Sequence, residues 1–331
     1  MNLAFTLCSI NYLAQAKVLS DSLKRSNPDW KLIIGLVDKN TTNADLTFID
    51  SEILEVETLD IPGFQDMVKK YTIVELLTSV KPFYFSWLFN TNPDVEHIVY
   101  FDPDIMVLRP LNSMMDKLSK YDILLTPHTT RPINDSLLPT ELHVKQTGIY
   151  NLGFLAVKRS ANTMAMLTWW QERLRYQCII NLSQGLFVDQ LWMDLVPAYF
   201  DKVLIDKTPG YNMAHWNLHE RVLEQRPDGY YVNNEPLVFY HFSHYNPGKP
   251  QQIAAFHTRF SFDSRPDIVG LYETYKAGLL AANYFDLKKI PCHYINDEKA
   301  KKRKRELENF LRAALPAKLK GRLKSIFRLG K

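Results

Sequence analysis

The sequence predicts an α/β fold in which a mixed, mainly parallel sheet is flanked by helices. Residues 3–8, 32–37 and 97–101 are almost continuously apolar, as strands are when a sheet is covered on both faces. Segments with helical periodicity lie between these strands, and parallel strands require crossovers of that kind. Alternating strands and helices therefore indicate a parallel sheet covered on both faces.

The remaining elements follow in order along the chain. A helix is predicted at 13–25, a second one at 64–78, and a third that begins at Lys81 with Pro82 in its first turn. Further strands are predicted at 122–126 and 150–157, a helix at 162–177 capped by Asn162, and a short helix at 188–195. The polar connection from 127 to 148 is long enough to suggest a functional or mobile loop.

Composition limits the class of protein. Of the 331 residues, 46% are hydrophobic and 23% charged, as in an ordinary globular domain. Cys8, Cys178 and Cys292 are far apart and odd in number, which argues against a disulfide framework or a zinc cage and favours a reducing compartment. The first apolar run lacks the features of a signal peptide, and no segment is apolar enough to span a membrane. A cytoplasmic location is expected.

Charge is distributed unevenly. Residues 298–331 carry a net charge of +10, which leaves −6 for the rest of the chain, because the whole carries +4. In the same segment apolar residues recur at helical spacing among the basic ones, which predicts a basic amphipathic helix on the cytoplasmic face of an anionic membrane. A solvated terminus and contact with nucleic acid are the alternatives, and nucleic acid is not expected. The predicted organisation is a catalytic domain at 1–260, a helical extension packed on it at 261–297, and the tail at 298–331.

An acidic pair follows the third apolar strand directly. In open sheets, ligands bind beyond the carboxyl ends of parallel strands, where Asp102 and Asp104 stand. Residues two apart in extended backbone project to the same side, so both carboxylates can reach one cation. Carboxylates completed by diphosphate oxygens are typical of Mg²⁺ or Mn²⁺ sites. The alternative is that Asp-Pro-Asp is only a turn.

The run Val-Tyr-Phe-Asp-Pro-Asp-Ile-Met-Val at residues 99–107 resembles the DxD signature of GT-A-fold glycosyltransferases, particularly the retaining family 8 type. Other segments resemble that family's motifs in the same order, and the likeness covers roughly residues 1–260. These segments are Asn151-Leu152-Gly153-Phe154, Asp189-Gln190-Leu191, Tyr211-Asn212 and His241-Phe242.

The resemblance implies an enzyme that moves a sugar from a nucleotide diphosphate donor, expected to be a UDP-sugar, to a carbohydrate or lipid-linked glycan acceptor. Surface polysaccharide or lipopolysaccharide assembly, with Mn²⁺ or Mg²⁺ as cofactor, is the expected setting. A sugar nucleotidyltransferase is an alternative, although residues 8–12 lack the glycine-rich loop typical of that class. A non-catalytic carbohydrate-binding protein on the same fold is another.

Carried over residue by residue, the resemblance implies a complete site. Metal ligands are expected at Asp102, Asp104 and His241; nucleotide or diphosphate contacts at Ser9, Asn11, Asp38, Lys81 and Lys249; and contacts with the transferred sugar at Asn151, Asp189 and Gln190.

Some points stay open in the sequence. His244 competes with His241 as the metal ligand, because Lys249 comes later after the histidine than in the family pattern. Retention is expected, with the leaving phosphate accepting the acceptor's proton, but inversion would need a carboxylate base whose position the sequence does not give. An acceptor cleft is suggested by an aromatic and histidine-rich stretch, whose members are Tyr211, His215, Trp216 and His219.

Overall fold

The computed structural model describes residues 2–41 and 43–294. Its strands, numbered in chain order, are β1 (Asn2–Cys8), β2 (Trp30–Leu36), β3 (Glu52–Glu55), β4 (His97–Phe101), β5 (Ile105–Val107), β6 (Ile123–Leu125), β7 (Phe154–Lys158), β8 (Ile180–Asn181), β9 (Leu186–Phe187), β10 (Val203–Ile205), β11 (Met213–Ala214), β12 (Leu223–Arg226), β13 (Gly229–Val232), β14 (Glu235–Pro236) and β15 (Phe239–His241).

Helices fill most of the connections between these strands. The α-helices are α1 (Leu13–Ser26), α2 (Phe64–Lys70), α3 (Ile73–Ser79), α4 (Lys81–Thr91), α5 (Asn112–Leu118), α6 (Glu141–Thr147), α7 (Ala161–Gln177), α8 (Val196–Tyr199), α9 (Val269–Ala281) and α10 (Tyr284–Leu287). Short 3₁₀ helices occur at Ile10–Tyr12, Val56–Leu59, Leu182–Gln184, Leu191–Leu195, His215–Asn217 and Pro266–Ile268.

The central sheet has the strand order β10-β6-β7-β4-β1-β2-β3. Its pairs are parallel except those that β7 makes with β4 and β6. Alternate residues of β1 enter different buried clusters: Phe5 packs with Tyr84 and Phe85 of α4, whereas Ala4 lies in the cluster on the other face. The predicted α/β fold with a mainly parallel sheet is therefore confirmed.

A small second sheet, of order β11-β15-β5, sets up the candidate site. The register of its antiparallel pair places His241 opposite Ile105, the residue after Asp104. The backbone N–H of Phe242 also donates to the carbonyl of Asp104 at 2.9 Å. A histidine distant in sequence is thus fixed beside the acidic pair by main-chain pairing.

The predicted helix at 64–78 is two helices, which separate at Tyr71 and Thr72. Thr72 caps α3 with a capping box, in which its backbone N–H donates to Oε2 of Glu75 at 2.8 Å. This Thr-x-x-Glu signature was visible in the sequence and marks the start of the second helix within the predicted helical range.

Other local predictions also need correction. The cap of α7 is Ser160, whose side chain accepts from the N–H of Thr163, while Asn162 donates to Asp122 and to the carbonyl of Asp201. The predicted helix at 188–195 starts only at Leu191 and is a 3₁₀ helix continued by α8. The connection from 127 to 148 contains α6, and the strand at 150–157 begins at Phe154, after a turn.

Residues 261–294 pack closely on the first part of the chain. Leu271 and Tyr275 of α9 and Leu287 of α10 share one buried cluster with Ile10 and Leu13. Within the described residues no helix is both long and apolar enough to cross a membrane. The predicted amphipathic tail at 298–331 lies outside the described residues.

Candidate active site

The acidic pair lies on a turn between the central sheet and the small sheet. The N–H of Ile105 donates to the carbonyl of Asp102 at 3.1 Å, and the N–H of Asp102 donates to Gly153 at 2.7 Å. The expectation of an extended backbone at Asp102 and Asp104 was therefore wrong. The turn, not strand alternation, brings the two carboxylates together.

The two carboxylates meet the imidazole of His241. Its Nε2 lies 3.0 Å from Oδ1 of Asp104 and 3.8 Å from Oδ2 of Asp102. One ligand atom from each residue lies within 4.8 Å of the others, and the carboxylates stay partly exposed. Two carboxylate oxygens and one imidazole nitrogen fit a divalent ion such as Mn²⁺ or Mg²⁺. The geometry favours His241 over His244, which does not belong to this group.

Charges in this group influence one another. Burial raises the pKa of Asp102, against the opposing attraction of Lys81 and His241. Burial also acts to raise the pKa of Asp104, but the charge and hydrogen bond of His241 outweigh it, and that pKa is lowered. For His241, burial acts to lower the pKa, and attraction to Asp104 raises it overall. The group therefore favours an ionised imidazole–carboxylate pair when no cation is bound.

Gly153 is the point on which the site residues converge. A methyl group built there would lie 2.3 Å from Cε1 of His241 and 2.8 Å from both Oδ1 of Asn151 and Oδ2 of Asp102. Real Cβ atoms do not approach so closely, so these side chains occupy the space that any larger residue needs. Glycine is required here for close approach of backbone and side chains.

We expect Gly153→Ala to lower metal-dependent activity by about a hundredfold, because displacing reacting groups by about 1 Å can cost that much. Overpacking should also cost about 1–3 kcal/mol of stability. Gly270→Ala is the matched control, since its nearest neighbour would be Tyr230 Oη at 3.5 Å. Steady-state rates and thermal melts measure both effects. Wild-type rates in Gly153→Ala would show that the convergence has no functional importance.

Amide side chains hold the turn that contains Gly153. Oδ1 of Asn151 accepts from the N–H of Gly153 at 3.1 Å and from Nδ2 of Asn212 at 3.0 Å. Oε1 of Gln190 accepts from the N–H of Leu152 at 3.0 Å. Asn151 and Gln190 are each 8% exposed. Both side chains border the site, and their hydrogen bonds hold the backbone of Leu152 and Gly153 in place.

Lys81 and Asp189 form a buried ion pair next to Tyr100, the residue that bonds to Asp102. Nζ of Lys81 lies 2.6 Å from Oδ2 of Asp189, donates to the carbonyl of Leu152, and sits 4.1 Å from the ring centre of Tyr100. Both side chains are about 97% buried or more. Direct contact of Lys81 with a phosphate, and of Asp189 with a sugar, is not available in this arrangement, because each charge is occupied by the other.

Ser9, Asn11 and Asp38 come together at the ends of β1 and β2, as expected for neighbouring parallel strands. Oγ of Ser9 donates to Oδ1 of Asn11 at 2.6 Å. The carboxylate of Asp38 accepts from the backbone N–H of Ile10, Lys39 and His293. Ser9 and Asp38 are each 1% exposed, so only Asn11 of the three offers surface to a nucleotide.

The segment from Pro291 to Tyr294 covers the end of β2. Sγ of Cys292 lies 3.6 Å from the carbonyl of Val37, and the ring of Tyr294 packs on Phe64 with centres 5.3 Å apart. Together with the bond from His293, these contacts close the approach to Asp38. No local pattern indicated this contact, because the two segments are 255 residues apart along the chain.

The suggested acceptor residues divide into two groups. Tyr211 is buried, packs on Phe154 and bonds to Ser113, so it belongs to the core. Trp216 instead lies beside the metal ligands, with its ring centre 5.1 Å from that of His241 and 5.2 Å from that of His215. Lys249, the lysine expected at the diphosphate, is exposed on a turn. Its backbone N–H donates to the carbonyl of Asn246.

Sequence reasoning missed residues that touch the site. Tyr100 Oη donates to Oδ1 of Asp102 at 2.5 Å, and Nε2 of His128 lies 3.2 Å from Nδ2 of Asn151. Tyr12 is 36% exposed, and its pKa is raised to about 12 by burial and by the nearby charges of Asp104 and Asp102. The available signal for Tyr12 was an aromatic residue directly after the polar end of the first strand.

No family model matches the chain. The protein YfnF of Bacillus subtilis strain 168, described as uncharacterized, is 26% identical over 284 residues, which are 83% of this chain and 90% of YfnF. YfnD of the same organism, also described as uncharacterized, is 21% identical over 243 residues, 72% of this chain and 76% of YfnD.

Solved structures similar to this chain are glycosyltransferases, the class that the sequence motifs resemble. One of them is the galactosyltransferase LgtC, in complex with donor and acceptor sugar analogues. It is 14% identical, the similarity covers 91% of this chain and 100% of that chain, and the TM-score is 0.47. At this identity the side chains of the site are the evidence for function.

Proposed function

We propose that this chain is a metal-dependent glycosyltransferase of the GT-A type, acting on a nucleotide diphosphate sugar and a carbohydrate acceptor. The observation that carries the proposal is the convergence at Gly153. Asp102, Asn151 and His241 come from separate motifs of the resemblance, and each has an atom within 2.8 Å of the same point. Convergence of this kind is what a binding site requires and what chance motif matches do not produce.

Asp102, Asp104 and His241 are the residues that would hold the ion. When bound, a divalent cation acts as a Lewis acid that neutralises charge on the departing nucleotide diphosphate. Tyr100 supports this role, because its hydroxyl holds one oxygen of Asp102 and leaves Oδ2 directed towards His241 and Gly153. Such a supporting hydrogen bond orients a ligand.

The nucleotide would lie along the ends of β1 and β2. Tyr12 offers a partly exposed ring at this edge, and Asn11 beside it offers an amide to a ribose or base. Exposed aromatic rings are common stacking surfaces for bases. Uridine is our first choice of base, on the resemblance alone, and Lys249 in its exposed turn would contact the diphosphate.

For the transfer itself we favour retention. Asn151 and Gln190 border the place of the sugar, while Asp189, paired with Lys81, would act through its electrostatic field. The acceptor's proton would pass to the leaving phosphate, so no protein base is needed. NMR of the product's anomeric configuration tests this scheme, and an inverted product would refute it.

The acceptor would lie on the side of Trp216. The ring is 6% exposed and stands between His241, His128 and His215, next to the metal ligands. Its Nε1–H has no hydrogen-bond partner among the described residues, and buried indole N–H groups usually have one. The nitrogen is itself buried, so a sugar hydroxyl would accept from this N–H once the side chains over it move aside.

We therefore expect Trp216→Phe to raise KM for the acceptor about tenfold, the effect of losing one hydrogen bond, while donor hydrolysis without acceptor is unchanged. Methyl glycosides that stimulate nucleotide release in the wild type serve as the acceptors. Trp30→Phe, at the start of β2, is the control. An equal loss in both reactions would place Trp216 on the donor side instead.

Association of residues 298–331 with an anionic membrane surface is part of the same proposal, on the basis of their sequence alone. Its test is co-sedimentation with vesicles of anionic phospholipid, before and after deletion of 298–331. Equal binding by both forms would refute it.

The decisive experiment needs no acceptor. Purified protein is incubated with a panel of UDP-, GDP-, ADP- and CDP-sugars, with Mn²⁺, with Mg²⁺ or with EDTA, and free nucleoside diphosphate is measured. Release that depends on the metal supports a transferase. A nucleotidyltransferase would instead need added pyrophosphate and would convert it, with the donor, into a nucleoside triphosphate and a sugar 1-phosphate. A binding protein would release nothing.

A further inference from the structure

One of the two lysines expected at the donor phosphates is already paired within the protein. The diphosphate of a nucleotide sugar is an anion whose charge grows as the sugar departs, and it would lie above two carboxylates. Lys81 and Lys249 are the cations that the resemblance places there, but the ammonium of Lys81 is bonded to Asp189 and to the carbonyl of Leu152. Besides the metal ion and Lys249, a further positive charge for the phosphates would have to come from another part of the chain.

Lys288, directly after α10, is placed to supply it. Its Nζ lies 4.1 Å from the ring centre of Tyr12, the exposed aromatic residue at the nucleotide edge. Within residues 2–41 and 43–294, its ammonium has no carboxylate partner and no hydrogen bond from its side chain. Its neighbour Lys289 differs, since it pairs with Asp286 at 2.9 Å.

The support for Lys288 is firm. Tyr284 and Leu287 of α10 are each 5% exposed and share a buried cluster with Ile10 and Leu13. This packing holds the backbone of Lys288 beside the 3₁₀ helix that carries Tyr12. Helix α10 also borders the turn of Lys249, because a methyl group built on Gly248 would lie 3.5 Å from Cε1 of Phe285.

The position also has the right electrostatic neighbours. The hydroxyl of Tyr12 is close enough to Asp104 and Asp102 for their charges to raise its pKa. The side chain of Lys288, over that ring, can therefore reach the region between the proposed nucleobase position at Tyr12 and the carboxylates of Asp102 and Asp104. A flexible four-carbon stem lets its ammonium leave an aromatic face, where a cation gains only about 0.5–1 kcal/mol at an exposed site.

We propose that Lys288 is a phosphate-binding residue of the donor site. In the free protein its ammonium lies over the ring of Tyr12, and it pairs with the nucleotide diphosphate when the nucleobase stacks on that ring instead. This inference depends on the proposed function and adds to it. It assigns part of the donor site to the C-terminal extension, outside the region of the sequence resemblance.

The test is calorimetric titration of the full chain with UDP and with uridine, in the presence of Mn²⁺. In Lys288→Met, affinity for UDP should fall roughly tenfold or more, as expected for a charged hydrogen bond, while affinity for uridine is unchanged or increased. The difference should shrink as salt is raised. Lys289→Met is the matched control and should titrate like the wild type.

Two results would overturn the inference. Equal UDP affinity in Lys288→Met and wild type would show that the lysine does not touch the phosphates. An equal loss for UDP and uridine would show that it only supports the ring. If the wild type bound none of the nucleoside diphosphates UDP, GDP, ADP and CDP, the proposed function would fail as well. Thermal melts keep these outcomes interpretable, because an exposed Lys→Met change should not alter stability by more than about 0.5 kcal/mol.

Discussion

Asp104→Asn is expected to lower metal-dependent nucleotide release by at least about a thousandfold, since a bound cation contributes several kcal/mol of charge stabilisation and each 1.36 kcal/mol is a factor of ten. The substitution removes the carboxylate that lies 3.0 Å from Nε2 of His241 while keeping the size of the side chain. Asp102→Asn should have an effect of similar size. Rates measured across a range of Mn²⁺ concentrations would show whether extra metal restores activity.

Thermal stability gives an independent measure of the same site. Mn²⁺ should raise the melting temperature of the wild type, because a ligand that binds only the folded state stabilises it. In Asp102→Asn and Asp104→Asn that rise should disappear. Asp66→Asn, an exposed change on α2, is the control and should respond like the wild type. A full metal response in both site variants would mean that the ion binds elsewhere.

Lys81→Met is expected to destabilise the fold by about 3–5 kcal/mol, the usual effect of leaving one member of a buried ion pair alone. The double variant Lys81→Met/Asp189→Leu should recover much of that loss, because no unpaired charge remains. Lys289→Met, which breaks an exposed pair, should change stability by less than about 0.5 kcal/mol. Chemical denaturation measures all of these.

The two roles suggested for Lys81 can be separated by activity. If it supports the site from below, the double variant should regain donor affinity together with stability. If it contacts phosphate directly, the double variant should be stable yet bind donor as weakly as the single variant. The second result would contradict the buried pairing seen here.

The destabilisation in Lys81→Met should depend on pH. Burial raises the pKa of Asp189 above its ordinary value, and Lys81 opposes that rise. A carboxyl with a raised folded pKa stabilises the fold at low pH, and this contribution is lost as the pH rises through that pKa. Without Lys81 the pKa rises further, so the deficit relative to wild type should shrink as the pH is lowered through that pKa. A constant deficit would mean that Asp189 stays charged.

Elements with strong local signals could be predicted from the sequence. The apolar strand that precedes Asp102 was placed correctly as His97–Phe101, because a run of buried residues ended at a proline-containing turn. The helix that begins at Lys81 was also correct, since proline is favoured in a first turn. The edge strand β3 was missed: its glutamates at 52 and 55 hide the pattern, and Glu52 pairs with Lys31 across the edge.

Long-range contacts limited the prediction of the site. The order of motifs along the sequence predicted that Asp102, Asn151 and His241 belong to one site, and the structure places them around Gly153. Nothing local indicated that Lys81 would pair with Asp189, 108 residues away, or that His293 would bond to Asp38, 255 residues away. Such pairings arise from packing between distant elements, so residue type and spacing alone could not reveal them.

The C-terminal extension packs on α1 and covers the end of β2, which affects how a protein without the tail should be made. Ending the chain at 260 would strip α9 and α10 from the outer side of α1, remove Lys288, and take the backbone donor of His293 away from Asp38. The shortened product would be expected to aggregate through the apolar surface so uncovered. Ending it beyond Tyr294 keeps these contacts, so any change in vesicle binding can then be assigned to the basic segment alone.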